Sequence, residues 1–173
     1  MLVIVGKTLL FLTAFVDGLY LSILLHELGH ALLALLLTNQ SILLKVGTSD
    51  NHLGFSLGRL RIELGLKGFQ YGFTYYEREK ESRLSQISVA MGGPLVSLVV
   101  MYLCSLWVLD TPLGGWLWVI GFAFFVANIR ILIVSLWPIK YRPFPDKDEV
   151  WLSDALDIWR MLLGRDSEHR NST

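Results

Sequence analysis

Residues 8–37 read TLLFLTAFVDGLYLSILLHELGHALLALLL, thirty positions with only two charges, Asp17 and Glu27. A helix needs about 20 mostly apolar residues to cross a bilayer, so this run is long enough. It also carries His26-Glu27-Leu28-Gly29-His30, an HExxH pattern. On a helix, side chains four apart share one face at about 6 Å, so both imidazoles can reach one tetrahedral Zn²⁺. Glu27 then stands beside the metal, where it can take a proton from water. Three ionisable groups in one turn of a membrane helix are costly and mark function there. A cleaved signal peptide would have a short apolar core and a small-residue cleavage site. Here the apolar character continues past Gly18, which predicts a retained helix.

Two further runs extend the pattern. Residues 84–109 contain no charge, and residues 115–137 contain only Arg130. The three runs together hold 3 of the 30 charged residues, against a net charge of zero and 53% hydrophobic residues overall. The expectation is an integral membrane protein, mainly α, with transmembrane helices at 8–37, 84–109 and 115–137. At 173 residues the chain fits a single domain. Neutrality gives no basis for a nucleic-acid partner, and a single cysteine, Cys104, excludes a disulfide framework or a site of several thiolates. Seven Lys+Arg lie in 38–83 and six after Trp137, whereas the 110–114 turn has none. The positive-inside rule makes both basic segments cytoplasmic. Trp107, Trp116, Trp118 and Trp137 lie near span ends, where interfacial rings are expected.

Between the first two spans, RLRIELGL from Arg59 alternates strictly. Arg59, Arg61 and Glu63 share one face, and Leu60, Ile62, Leu64 and Leu66 the other, the period of a half-buried strand. After a Lys67-Gly68 turn, Phe69, Tyr71, Phe73 and Tyr75 again fall on one side. A small antiparallel sheet is therefore expected over 43–76, at the membrane surface.

Two histidines leave a catalytic zinc one protein ligand short. His52 falls in a glycine-rich loop and His169 in a polar tail, both expected in solvent, so a carboxylate should complete the set. It must lie near the end of the third span, which leaves Asp146, Asp148, Glu149, Asp154 and Asp157.

HELGHALLALLL resembles the first core helix of the site-2 protease family of intramembrane zinc metalloproteases. AMGGPLVSL at 90–98 resembles the alanine-Gly-Pro element of that family's second core helix, and ANIRILIVSLWPI at 127–139 its third. The family's membrane-associated β-hairpin or sheet matches the 45–76 pattern. Two positions depart from the family: Ser135 stands where asparagine is usual, and the Asp-Gly pair that supplies the third ligand is absent. SDALDIWRMLLG resembles the Ser-Asp-Gly start of the family's final helix, with Ala155 in place of glycine. The resemblance thus points to Asp154 as the third ligand, with Asp146 as runner-up. Ser153 is a good N-cap for an amphipathic C-terminal helix over about 153–164.

The resemblance implies an intramembrane zinc metalloendopeptidase with one Zn²⁺ per chain, held by His26, His30 and Asp154, and with Glu27 as the catalytic base. Its partners would be the bilayer, a membrane-protein or peptide substrate, and a regulatory membrane protein or a second copy of the chain. A multi-pass protein of a prokaryotic plasma membrane is expected, with its active site near the cytoplasmic side. A catalytically inactive membrane scaffold or binding protein is the alternative. Among the other polar residues in the spans, Asn128 could orient substrate or bond between helices, and Arg130 could snorkel. Asp17 lies over two turns from His26.

Overall fold

The computed structural model describes residues 1–48, 52–142 and 150–164. Three long helices dominate it: α1 (Leu2–Leu37), α2 (Arg83–Asp110) and α3 (Trp116–Leu136), all long and apolar enough to cross a membrane. Residues 2–7 continue α1 without a break. Ser82 starts α2 by accepting the Ser85 amide on its side chain at 3.2 Å, which satisfies one of the free first-turn donors. The helices pack through small residues. A Cβ added at Gly29 would lie 2.3 Å from the Gly92 carbonyl oxygen, and one at Gly18 would lie 3.3 Å from Ala127 Cβ. Membrane helices approach closely by this route, because burial against lipid-like neighbours offers no hydrophobic gain. At the opposite end Lys7 donates to the Gly114 carbonyl, and Gly6 sits against the Trp116 ring. The starts of α1 and α3 are therefore level.

Four strands lie between α1 and α2: β1 (Ile42–Val46), β2 (Leu53–Leu57), β3 (Leu60–Leu64) and β4 (Gly72–Tyr75), in the order β2-β3-β1-β4. The sheet is mixed where an antiparallel one was expected. β2 and β3 form a hairpin through Gly58, while β3 runs parallel to β1 and β4 antiparallel to it. The Lys67-Gly68 segment therefore carries the chain across β1 instead of pairing β3 with β4. The cause is burial: Ile42, Leu44 and Val46 make β1 the most apolar strand, so it takes the centre against α1. The exposed β2 takes one edge, and β4 forms the other.

Leu60 and Ile62 are buried and Arg61 is exposed, as the alternation requires. Glu63 is buried as well, held by Arg61 at 2.9 Å and by His52 at 3.3 Å. His52 is accordingly half-buried and paired, not free in solvent. The aromatic face of β4 is covered by a two-stranded ribbon that the sequence pattern did not reveal, β5 (Lys140–Tyr141) and β6 (Trp151–Leu152). Tyr141 stacks on Tyr71, and Trp151 meets Phe73 and Tyr75 edge-on. Phe69 leaves that face and packs on Tyr20 of α1. The ribbon leads into α4 (Asp154–Leu162), whose buried Met161 faces inward.

Candidate metal centre

His26, Glu27 and His30 are all buried, on the part of α1 that faces α2 and β4. Each imidazole spends one nitrogen away from its partner. His30 Nδ1 donates to the Val89 carbonyl at 2.8 Å, and His26 Nδ1 lies 2.9 Å from Ser97 Oγ. Both Nε2 atoms point at each other, 3.2 Å apart. A carbonyl can only accept, so His30 carries a proton on Nδ1 and turns Nε2 towards the site.

Asp154 closes the triangle. Its Oδ2 lies 3.1 Å from His26 Nε2 and its Oδ1 lies 3.3 Å from His30 Nε2. Tetrahedral zinc with ligand bonds of about 2.0–2.1 Å has its ligand atoms about 3.3 Å apart, which the two Nε2 atoms match at 3.2 Å, with one carboxylate oxygen at about that distance from each. Ser135 donates to Asp154 Oδ2 at 2.6 Å, and Ser153 fixes the start of α4 by donating to the Trp137 carbonyl at 2.7 Å. Burial alone would push the Asp154 carboxyl up, but the adjacent His30 and His26 outweigh it and hold the group well below the usual carboxylate range. Gly93 keeps the centre open, because a Cβ there would lie 2.3 Å from His30 Nε2 and 2.6 Å from His26 Nε2.

Glu27 lies beside this triangle, and the donor atoms of His26, Glu27 and His30 all fall within 4.8 Å of one another. Thr74 Oγ1 of β4 donates to Glu27 Oε2 at 2.8 Å, and a Cβ on Gly72 would lie 2.5 Å from Glu27 Cγ. The edge strand is thereby seated directly on the acid. A cavity of about 430 Å³ opens from Glu27 and His30 along Gly72–Thr74 towards Trp151 and Met161.

The structure thus brings His26, Glu27, His30 and Asp154 together. Asp157 is turned away and pairs with Arg78 at 2.7 Å. Asp146, Asp148, Glu149 and His169 lie outside the described residues. Asn128 is fully buried, but its amide donates to the Phe124 carbonyl of its own helix and reaches none of the site residues. Thr74, Ser97 and Gly93 were missed by sequence reasoning. Ser97 lies four residues after Gly93, which puts both on one face of α2, and that spacing was the available signal.

Three apolar helices around a buried His-Glu-His turn, with a sheet seated on the acid, define a multi-pass membrane protein of peptidase type. A model of the Peptidase M50B-like family matches residues 3–137, more than three quarters of the chain, and the chain belongs to that family, among the site-2 proteases. Among curated proteins and solved structures, none matches the chain. Asp154 lies beyond the matched residues.

Proposed function

We propose that the protein is a zinc-dependent intramembrane endopeptidase that cuts an extended segment of a membrane protein. The observation that carries this reading is the convergence of His26 Nε2, His30 Nε2 and the two Asp154 carboxylate oxygens, at contacts of 3.1–3.3 Å, with Glu27 beside them. Zinc held by these three residues would polarise the scissile carbonyl and make a water a competent nucleophile near neutral pH. Glu27 takes the proton of the attacking water and delivers it to the leaving amine. Thr74 holds one Glu27 oxygen through its hydroxyl, which leaves the other for the proton. Cleavage requires an unwound substrate, because a helical segment keeps its peptide groups in its own hydrogen bonds. The outer edge of β4 borders the cavity and can receive such a stretch by strand addition, which would lay its backbone past Glu27.

The depth of the site suits this chemistry. Counting about 1.5 Å per residue from the level of Gly6 and Trp116, a hydrocarbon core of about 30 Å ends near His26. Water therefore has a short path to the site. The side is the cytoplasmic one, on the distribution of basic residues.

The two departures from the family pattern do not argue for an inactive scaffold. Ser135 supplies a hydrogen bond to Asp154, and Ala155 is an ordinary first-turn residue of α4. The test uses the purified chain in lipid vesicles with a transmembrane reporter peptide. Glu27→Gln should keep its zinc and lose about 10²–10⁴-fold in cleavage rate. Unchanged cleavage in Glu27→Gln would overturn the proposal, and a zinc-loaded wild type that cuts no membrane substrate would favour the scaffold.

A further inference from the structure

Nine residues before His26, α1 carries Asp17, which is exposed on the outer surface of the helix bundle and makes no hydrogen bond or ion pair among the described residues. It borders a groove of about 490 Å³ lined by Val16, Asp17, Tyr20, Leu66 and Phe69. Leu66 is 82% exposed there, so the wall is apolar and open to lipid. Asp17 lies 11 residues past Gly6, about 16 Å from the level of Trp116, close to the middle of a hydrocarbon core of about 30 Å. An aspartate is too short to reach either interface from that depth, unlike a lysine or arginine. A carboxylate in such a place needs a donor.

Within residues 8–37, 84–109 and 115–137 the one Lys or Arg is Arg130 of α3, which is also exposed and unpaired among the described residues. It lies 14 residues past Trp116, about 21 Å from the same level. The two depths differ by about 5 Å, a gap that an arginine side chain covers. Within one chain the two charges do not meet. Rotation about an axis along the membrane normal leaves depths unchanged, so Arg130 of a second copy arrives at the right height for Asp17.

We propose that the chain self-associates in the membrane by seating Arg130 of one copy in the Asp17 groove of another. The pairing gives the lipid-exposed Asp17 carboxylate a donor, beside the aromatic pair Tyr20 and Phe69 that lines the groove. The contact lies on the outer surface of α1 and does not depend on peptidase activity.

The test is energy transfer between full-length chains bearing donor or acceptor fluorescent fusions, in phosphatidylcholine vesicles across a range of protein-to-lipid ratios. Wild type should associate. Asp17→Asn and Arg130→Gln should each weaken association about threefold to 20-fold. The charge swap Asp17→Arg with Arg130→Asp should return it to within about threefold of wild type. A wild type that stays monomeric, single variants that associate like wild type, or a swap that fails to restore association would each overturn the proposal. A second arm covers a swap that does not fold. On a Cys104→Ser background, Asp17→Cys chains are mixed with Arg130→Cys chains and treated with a short bis-maleimide. A 17–130 cross-link supports the pairing, and cross-links only between identical positions sink it.

Discussion

Two stretches of α1 place ionisable groups at membrane depth, and they are treated in opposite ways. At 26–30 every group has protein partners: Ser97 and Val89 for the imidazoles, Thr74 for the acid, and Asp154 across the histidines. At Asp17, nine residues earlier, there is none among the described residues. Both stretches lie on one uninterrupted helix, so helix propensity does not separate them. The difference lies in what packs against each face. The site turn is enclosed by α2, β4 and α4, whereas Asp17 looks out past the β3–β4 connection. A polar group in a membrane helix is thus read by its partners: a full set marks a built site, and an empty one marks an unfilled contact.

The most damaging way to break the first region leaves all three candidate ligands in place. Gly93→Ala inserts a methyl group 2.3 Å from His30 Nε2, into space where the imidazoles cannot yield because Val89 and Ser97 pin their other nitrogens. Zinc content measured by mass spectrometry should fall to background, as it should for His30→Ala, while circular dichroism shows intact helices. Retained zinc in Gly93→Ala would falsify the placement of the metal between the two Nε2 atoms. Asp154→Asn should come next, with metal lost at low zinc concentration and partly regained at high zinc. The matching change in the other region, Asp17→Asn, should leave zinc affinity within about twofold of wild type.

A milder pair of changes sharpens the comparison by removing partners instead of ligands. Ser97→Ala takes away the group that orients His26, and Ser135→Ala takes the hydroxyl from Asp154. Loss of such supporting hydrogen bonds typically costs 10- to 100-fold in metal affinity. Competition with a chromogenic chelator measures it directly. Ser135→Asn, the residue usual in the family, should recover most of the loss if the role of Ser135 is to hold the carboxylate. Equal losses in the alanine and asparagine variants would mean that Ser135 acts only by packing.

Much of this arrangement was legible before any coordinates. Charge-free runs located the three helices, because a span must exclude charge along its whole length. The HExxH turn brought three candidate site residues together, because i and i+4 share a helix face by geometry alone. The sheet was less legible. Alternation revealed the strand at Leu60–Leu64 but said nothing about its neighbour, and the parallel pairing with β1 follows from long-range burial. β5 and β6 escaped notice because two residues per strand are too few to show a period. Asp154 was reached through a resemblance and not through spacing. Its place depends on how β6 and Ser153 aim α4, which no local pattern encodes.

The smallest effect concerns how α4 is held. Arg78 Nη2 donates to Asp157 Oδ2 at 2.7 Å, one turn beyond Asp154, and ties α4 to the segment that enters α2. The Arg78 side chain is 42% exposed, so solvent screens the pair and its worth is at most about 1 kcal/mol. Arg78→Ala should therefore leave equilibrium zinc content near wild type and raise the rate of zinc loss to excess chelator about twofold to fivefold. The effect should shrink in high salt, as it must for a screened pair. A salt-independent change of the same size would assign the role of Arg78 to packing on Met161, which its guanidinium also touches. Either result separates the site from the Asp17 stretch, because the carboxylate of Asp154 is held by a short helix anchored from outside the bundle, whereas nothing among the described residues supplies a partner for Asp17.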